Sequence, residues 1–403
     1  MAKRAISYGR QTIDESDIAS VVETLRSGML TQGPLVEEFE RAIADYTGAR
    51  YAVACSNGTA ALHLACLGLG LGAGEKALTS PLTFLASANA ALYVGARPEF
   101  ADIDGLTLNI DPVEIEKKVK KDRSIKAIIP VHFAGTTCRM EEISEIAVKY
   151  GLKVIEDACH ALGAEWTDSA GKVHKAGSCS HSDLAVFSFH PVKSITTAEG
   201  GAITTNNKEL YEKLKALRSH GVVKDPARLQ RGQGLPWYYE MQHLGFNYRL
   251  SDIQCALGIS QMKKLDSFVE RRAGIAAIYD RLLSKYPFIK IPHAGSQTRS
   301  AWHLYPVRIA FDELGVQRQE LFRLMSAIGI NLQVHYIPVH LQPYYRELGF
   351  RPGDFPVAER LYDEEVSLPI YPLLSDEEAG AVAEGLISTL ACLSAPAQRA
   401  EAV

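Results

Sequence analysis

The segment Leu184-Ala185-Val186-Phe187-Ser188-Phe189-His190-Pro191-Val192-Lys193 places a primary amine directly after an apolar run. The run reads as a buried strand, and Pro191, with no N–H for a ladder, ends regular pairing. Lys193 is thereby delivered just past the carboxyl end of a strand, where α/β sheets build their sites. An amine there can attack a carbonyl, or act as a base once burial suppresses its charge. Ser188 offers a hydroxyl to an anion. The glycines of Glu199-Gly200-Gly201 suit a tight turn or a close backbone approach. On its own a lysine in this position is more often solvated, so its neighbours decide the reading.

Three of those neighbours end apolar runs of their own. Val154-Ile155-Glu156-Asp157-Ala158-Cys159-His160 sets the carboxylate of Asp157 at a strand end. It suits a cationic ring nitrogen, or simply caps a helix. His160 shares a face with Asp157 if the chain turns helical there, and could contact a ring or steady the carboxylate; a packed core histidine is an equal reading. Cys55-Ser56-Asn57-Gly58-Thr59-Ala60-Ala61 breaks a strand and opens a small-residue helix. The free N–H groups and hydroxyls of such a start bind an anion. No glycine-rich nucleotide fingerprint is nearby, so a single phosphate is the better match for Gly58 and Thr59. Phe84, in Ser80-Pro81-Leu82-Thr83-Phe84, could stack on a flat ring or pack in the core. In Leu244-Gly245-Phe246-Asn247-Tyr248-Arg249-Leu250-Ser251-Asp252, an N-cap at Ser251 or Asp252 explains the end of the segment but not Asn247 or Arg249. An amine, a carboxylate, an anion cradle and an aromatic face together match pyridoxal phosphate (PLP), whose ring nitrogen must stay protonated to draw electrons.

The elements that position these groups alternate. Helices are expected over 12–27 and 34–47, where Ile18, Val21, Val22 and Leu25 recur at helical spacing. Strands 51–54, 77–80, 97–102, 125–133, 152–156, 183–189 and 201–205 then interleave with helices 59–67, 83–93, 140–150 and 208–219. This alternation implies a mainly parallel sheet between helices. The segment 222–243, with Gly232, Gly234 and Pro236, reads as a mobile loop. A long helical region spans 251–286. Beyond it, strands 303–310 and 331–339 flank a helix at 317–328, and Ser375-Asp376-Glu377-Glu378 opens a last helix to about 390 as a capping box. The expected organisation is a large α/β domain (1–250), a connecting helical region (251–286), a small α+β domain (287–393) and a frayed tail (394–403).

Composition excludes several classes. A net charge of −4 gives no reason to expect nucleic acid or an anionic membrane as partner. Lys117-Lys118-Val119-Lys120-Lys121 follows Glu114 and Glu116 and reads as a solvated helix face. The seven cysteines are scattered, with no Cys-x-x-Cys, which fits a reducing cytoplasm rather than a disulfide framework or zinc site. His335 and His340 do not have a recognised metal spacing, and no metal is expected. The most apolar stretch, 59–73, falls short of a membrane span.

In chain order, Thr31-Gln32-Gly33-Pro34, Ser56-Asn57-Gly58-Thr59-Ala60, Glu156-Asp157-Ala158, Phe187-Ser188 with Lys193, Glu199-Gly200-Gly201 and Asn247-Tyr248-Arg249 resemble the DegT/StrS-type nucleotide-sugar aminotransferases. These are fold-type I PLP enzymes, and the resemblance covers about residues 5–390. It implies that Lys193 bonds to PLP and moves the proton. Asp157 is then the partner of the ring nitrogen, Phe84 stacks on the ring with His160 beside it, and Gly58, Thr59 and Ser188 hold the phosphate. Asn247 is implied to reach the phosphate of a neighbouring subunit, which makes a homodimer with sites at its interface. Pro236-Trp237-Tyr238-Tyr239-Glu240-Met241-Gln242 and the stretch from Gln333 to Tyr345 resemble those members that aminate C4 of UDP-2-acetamido-2,6-dideoxy-β-L-arabino-hexos-4-ulose. L-Glutamate is the implied donor, and Gln32, Arg249, His335 and Tyr336 are implied substrate contacts. Alternatives left open are another UDP- or dTDP-4-keto-6-deoxy sugar, a sugar dehydratase of the same fold, a non-enzymatic sensor and a PLP-free phosphate binder. The dehydratases replace the lysine with histidine, and Lys193 argues against that reading.

Overall fold

The structure is a computed structural model that describes residues 5–231 and 235–394. Seven strands form the central sheet, in the spatial order Tyr51–Cys55, Gly201–Thr205, Leu184–Ser188, Lys153–Asp157, Ile125–Ile129, Lys76–Thr79 and Arg97–Phe100. The last five run parallel to one another. Gly201–Thr205 lies antiparallel to both of its neighbours, so Tyr51–Cys55 again points the same way as the parallel five. Six strands therefore end along one edge of the sheet, and that edge collects the chemistry.

Alternation along the strands divides their side chains between two cores, as a sheet covered on both faces requires. Val53, Cys55, Ile155, Val186 and Ile203 pack under the helix Gly58–Leu69. Ala52, Ala54, Phe187 and Ala202 face Phe39 and Ile43 of the helix Pro34–Thr47. Full burial of each large apolar side chain here contributes about 1.5–3 kcal/mol, so the strand ends sit on a stiff base. Gly201 is required where Gly201–Thr205 begins: a Cβ there would stand 2.5 Å from the backbone carbonyl of Asn57.

A second core lies beyond the helices Asp252–Met262 and Leu265–Leu283. Ile289–Lys290, Tyr305–Ile309 and Glu365–Leu368 form an antiparallel sheet packed on Leu265–Leu283, Arg318–Ala327 and Asp376–Ser394. The capping box at Ser375 and Glu378 opens the last of these helices.

Four expectations need correction. The stretch 331–339 is not a strand and keeps only an isolated bridge between Gln333 and Ser367. The N–H of His335 donates instead to the side chain of Glu365, and Pro338 has none to offer. The strand expected over 125–133 stops at Ile129 because Pro130 cannot continue the ladder. The region 251–286 is two helices that break at Lys263 and Lys264, where Lys264 turns its ammonium onto Asp14 and Asp17. Part of the expected loop 222–243 forms a short hairpin, Val222–Val223 with Glu240–Met241. Gly232 and Gly234 of that loop, and the expected tail from Ala395, lie outside the described residues.

Candidate active site

A cavity of about 1030 Å³ opens at the carboxyl edge of the sheet, and Lys193, Asp157 and Ser188 all line it. The size exceeds the usual range for one small ligand and leaves room for a second. Lys193 follows the strand Leu184–Ser188 through a turn in which its own N–H bonds to the carbonyl of His190. Its Nζ stands 3.4 Å from Nε2 of His303. Burial pushes the Lys193 ammonium down, and the Arg272 guanidinium adds to that push against the opposing pull of Cys159 and Asp157.

Asp157 is the last residue of its strand and is only 4% exposed. Its Oδ2 accepts a 2.6 Å bond from the Ser87 hydroxyl, and its Oδ1 accepts from the N–H of Cys159. Because Ser87 donates to Asp157, its oxygen is free to accept from Thr83, 2.7 Å away. Thr83 lies just before the helix Leu85–Tyr93 and Ser87 in its first turn, and together they aim the carboxylate. An ionised carboxylate accepts about four hydrogen bonds, so this one retains capacity for a cationic N–H in the cavity.

Gly58 and Thr59 form the first turn of the helix Gly58–Leu69, where N–H groups have no partner within the helix. Asn57 caps the helix through Ala60 alone, leaving this turn to an anion. A Cβ on Gly58 would stand 2.9 Å from the Cβ of Ser188, so glycine keeps the cradle open. Phe84 precedes the helix Leu85–Tyr93 and is 56% exposed, which removes it from the core and leaves its ring on the cavity wall.

His160, His335 and Tyr336 complete the inner wall. The Tyr336 hydroxyl lies 3.2 Å from Nε2 of His160, and the His160 and His303 rings are 4.3 Å apart. Burial first, and then the charge of Lys193, hold both of these imidazoles well below the ordinary histidine range, so they are neutral. Their Nδ1 atoms are buried without a hydrogen-bond partner among the described residues.

PLP suits these residues. The two orphaned imidazole nitrogens, the cradle that a Cβ at Gly58 would fill and the carboxylate with spare acceptor capacity each answer one part of it. Gln32, Asn247 and Arg249 do not line this cavity. Asn247 and Arg249 flank Tyr248, which does line it, while Thr31 bridges to Ser251 and Asn247 to Ser219.

Sequence reasoning missed His303, Ser87 and Arg272. Ser87 had a signal, a polar residue four after Thr83 on a helix made mostly of small apolar residues. Arg272 had one too, since it falls on the stripe made by Phe268, Val269, Ile275 and Tyr279. It is 1% exposed and bonds the carbonyls of Ile370 (2.8 Å), Trp302, His303 and Val192. His303 had no local signal, because it reaches Lys193 from 110 residues away.

Comparison with known proteins points the same way. The sequence profile of the DegT/DnrJ/EryC1/StrS aminotransferase family matches residues 11–387. The chain is 44% identical, over 391 residues, to the UDP-4-amino-4,6-dideoxy-N-acetyl-beta-L-altrosamine transaminase of Campylobacter jejuni, covering 96% of this chain and 97% of that protein. Among solved structures, Helicobacter pylori PseC, an aminotransferase involved in the biosynthesis of pseudoaminic acid, is similar with a TM-score of 0.89. It is 32% identical and covers 96% of this chain and 100% of its own. Spr1654 from Streptococcus pneumoniae in its PLP form is similar with a TM-score of 0.87 at 29% identity, covering 96% of this chain and 99% of its own.

Proposed function

The chain belongs to the DegT/DnrJ/EryC1/StrS aminotransferase family, whose cofactor is PLP, and on that premise we propose that it aminates C4 of a UDP-linked keto sugar. The substrate is UDP-2-acetamido-2,6-dideoxy-β-L-arabino-hexos-4-ulose, the amino donor is L-glutamate, and the product is UDP-4-amino-4,6-dideoxy-N-acetyl-β-L-altrosamine. The observation that carries this reading is a cavity of about 1030 Å³ around Lys193 and Asp157 in a chain 44% identical to the Campylobacter transaminase over nearly its full length.

Bound PLP supplies an electron sink for the charge left when a C–H bond of the amino donor breaks. Lys193 would bond to it, Asp157 would pair with its ring nitrogen, and Gly58, Thr59 and Ser188 would hold its phosphate. Phe84 and His160 would flank its ring. The chain's own work is then proton handling. Lys193 Nζ, kept low in basicity by burial and by Arg272, takes the proton from the donor's Cα and later returns one to the sugar carbon. His303, neutral and 3.4 Å away, holds that amine on its line between the two carbons. Gln32, Arg249, His335 and Tyr336 serve the sugar nucleotide.

A homodimer is part of this reading, because Asn247 and Arg249 lie outside their own chain's cavity. The exposed apolar side chains Ile18, Leu25, Met29 and Leu30, with Trp237, Tyr239, Met241 and Leu244, support it as surface that a second subunit would cover. The free cysteines suit the reducing cytoplasm. Among the described residues no helix is long and apolar enough to cross a membrane.

The deciding experiment offers glutamate and both C5 epimers of the UDP-4-keto sugar to the purified protein. Amination of the L-configured epimer, lost in Lys193→Arg together with the visible absorbance of lysine-bound cofactor, is the expected result. Exclusive turnover of the D-configured epimer overturns the substrate assignment, and full activity of Lys193→Arg overturns the role of the lysine.

A further inference from the structure

Three buried residues, one in the cavity wall and two behind it, form a closed hydrogen-bonded circuit. The N–H of His335 donates to Oε2 of Glu365 at 2.8 Å. The Ser367 hydroxyl lies 2.5 Å from Oε1 of Glu365 and 2.8 Å from Nδ1 of His335. Glu365 and Ser367 are fully buried on the strand Glu365–Leu368, and neither lines the cavity; His335 does. Nε2 is the His335 ring nitrogen outside the circuit, on a side chain that lines the cavity.

We propose that Glu365 is a positioning residue that sets, through Ser367, whether His335 donates or accepts a hydrogen bond at Nε2. The inference rests on reading the cavity as the sugar-nucleotide site. A hydroxyl carries one proton, so the circuit has only two consistent states. With Glu365 ionised, Ser367 must donate to Oε1. Its oxygen then accepts from Nδ1–H of His335, and Nε2 presents a lone pair. With Glu365 protonated, Oε2 is already an acceptor for the His335 N–H, so the acid proton sits on Oε1 and donates to Ser367. The hydroxyl proton turns to Nδ1, and Nε2 carries N–H. Passage between the states moves one proton in at Nε2, one from Nδ1 to the hydroxyl and one from the hydroxyl to Oε1. The imidazole is neutral in both.

The surroundings favour this exchange near neutral pH. Burial lifts the Glu365 carboxyl to about 8, against the bonds from Ser367 and His335 and the charge of Arg318. Burial and the charge of Lys193 hold His335 down at about 3, so it does not compete for the proton. Arg318, from the helix Arg318–Ala327, points its guanidinium at the Glu365 and Tyr362 carbonyls. Arg308, opposite Glu365 in register, turns to Glu364. The rings of Tyr8 and Tyr336 close over His335 at 5.5 and 4.8 Å.

The test is imidazole ¹⁵N spectroscopy on histidine-labelled holoenzyme between about pH 6 and about pH 10, with His335 assigned from His335→Gln. Nε2 of His335 should change from protonated to unprotonated as pH rises. Glu365→Gln, whose amide NH₂ donates to Ser367, should lock it protonated throughout. Ser367→Ala should abolish the transition, and Ser367→Thr should restore it. In kinetics, KM for the keto sugar should shift about three- to tenfold across the same range, the weight of one neutral hydrogen bond. The glutamate half-reaction and kcat should stay level. An Nε2 signal that never changes in wild type, or that still changes in Glu365→Gln, overturns the proposal. The spectra decide this even if the protein aminates a different sugar, since they do not depend on turnover.

Discussion

Nζ of Lys193 and Nε2 of His303 meet at 3.4 Å although 110 positions separate the two residues in the chain. On the proposed mechanism the amine serves two carbons in each half-reaction, and among the described residues the His303 imidazole is the hydrogen-bond partner of its Nζ. His303→Asn is therefore expected to lower kcat by about ten- to a hundredfold in both half-reactions, the cost of a misplaced catalytic group. Cofactor affinity should change far less. Stopped-flow traces with glutamate alone separate the two, and an unchanged rate rules out the positioning role.

Three buried neutral imidazoles make the cofactor-free protein sensitive to acid. His160, His303 and His335 all bind protons less readily folded than unfolded. Below the ordinary imidazole value of 6.5 the unfolded chain takes up protons that the native state refuses, so stability falls with pH. Between pH 6.5 and about pH 5, each imidazole contributes a loss of about 1.6 kcal/mol and the three together roughly 5 kcal/mol. Urea denaturation across this range measures it. His303→Asn should remove about a third of the slope.

Ser87 and Gly58 should govern cofactor binding without touching the amine. Ser87→Ala removes a bond to a carboxylate, worth about 1.5–3 kcal/mol, and lets Asp157 swing from its aim. Gly58→Ala forces a Cβ to within 2.9 Å of Ser188 and closes the phosphate cradle. Fluorescence titration with PLP should show at least about tenfold weaker binding in each variant. Pyridoxal without its phosphate should discriminate the two, since Ser87→Ala weakens both ligands and Gly58→Ala mainly the phosphorylated one.

Arg272 is a buried cation tied to carbonyl oxygens rather than to a carboxylate. Arg272→Met leaves those carbonyls without a donor and should cost about 1–3 kcal/mol for each one left unsatisfied. It also removes a positive charge that holds the Lys193 ammonium down. The apparent pKa of Lys193, read from its pH-dependent acylation in the cofactor-free protein, should rise in Arg272→Met and stay low in Arg272→Lys. No movement in either variant would remove Arg272 from the tuning of the amine.

Asn247 does not line the cavity of its own chain, so two dead proteins should rescue each other. On the proposed homodimer, a mixture of Lys193→Ala and Asn247→Ala chains, unfolded and reassembled together, should form hybrid dimers with one site intact. Activity should reach about a quarter of wild type if pairing is random and isologous. Activity that never exceeds the sum of the parents argues that each site is built from one chain.

Much of this site was legible because its pieces end apolar strands. Asp157, Ser188 and Lys193 each follow a run that only a buried strand explains, and six parallel-pointing strand ends must share an edge. What local pattern does not encode is the return of the chain from the second core. His303 and the circuit of His335, Ser367 and Glu365 come from segments that meet the sheet only in the folded protein. The stretch 331–339 shows why: its apolar alternation looks like a strand, yet its N–H at His335 bonds to a side chain instead. Arg272 and Ser87 were visible as polar breaks in apolar stripes, a weaker signal than a motif and easily passed over.

The meeting of all six strand ends on one edge also bears on biogenesis. The lysine, the carboxylate and the anion cradle come from three separate stretches, and the imidazole that steadies the amine arrives more than a hundred residues after it. No emerging fragment of the chain holds a complete set, and contacts so distant in sequence form late. Capture of the cofactor in its finished setting thus belongs late in folding, because a chain that stops short of His303 lacks the imidazole that pairs with the amine.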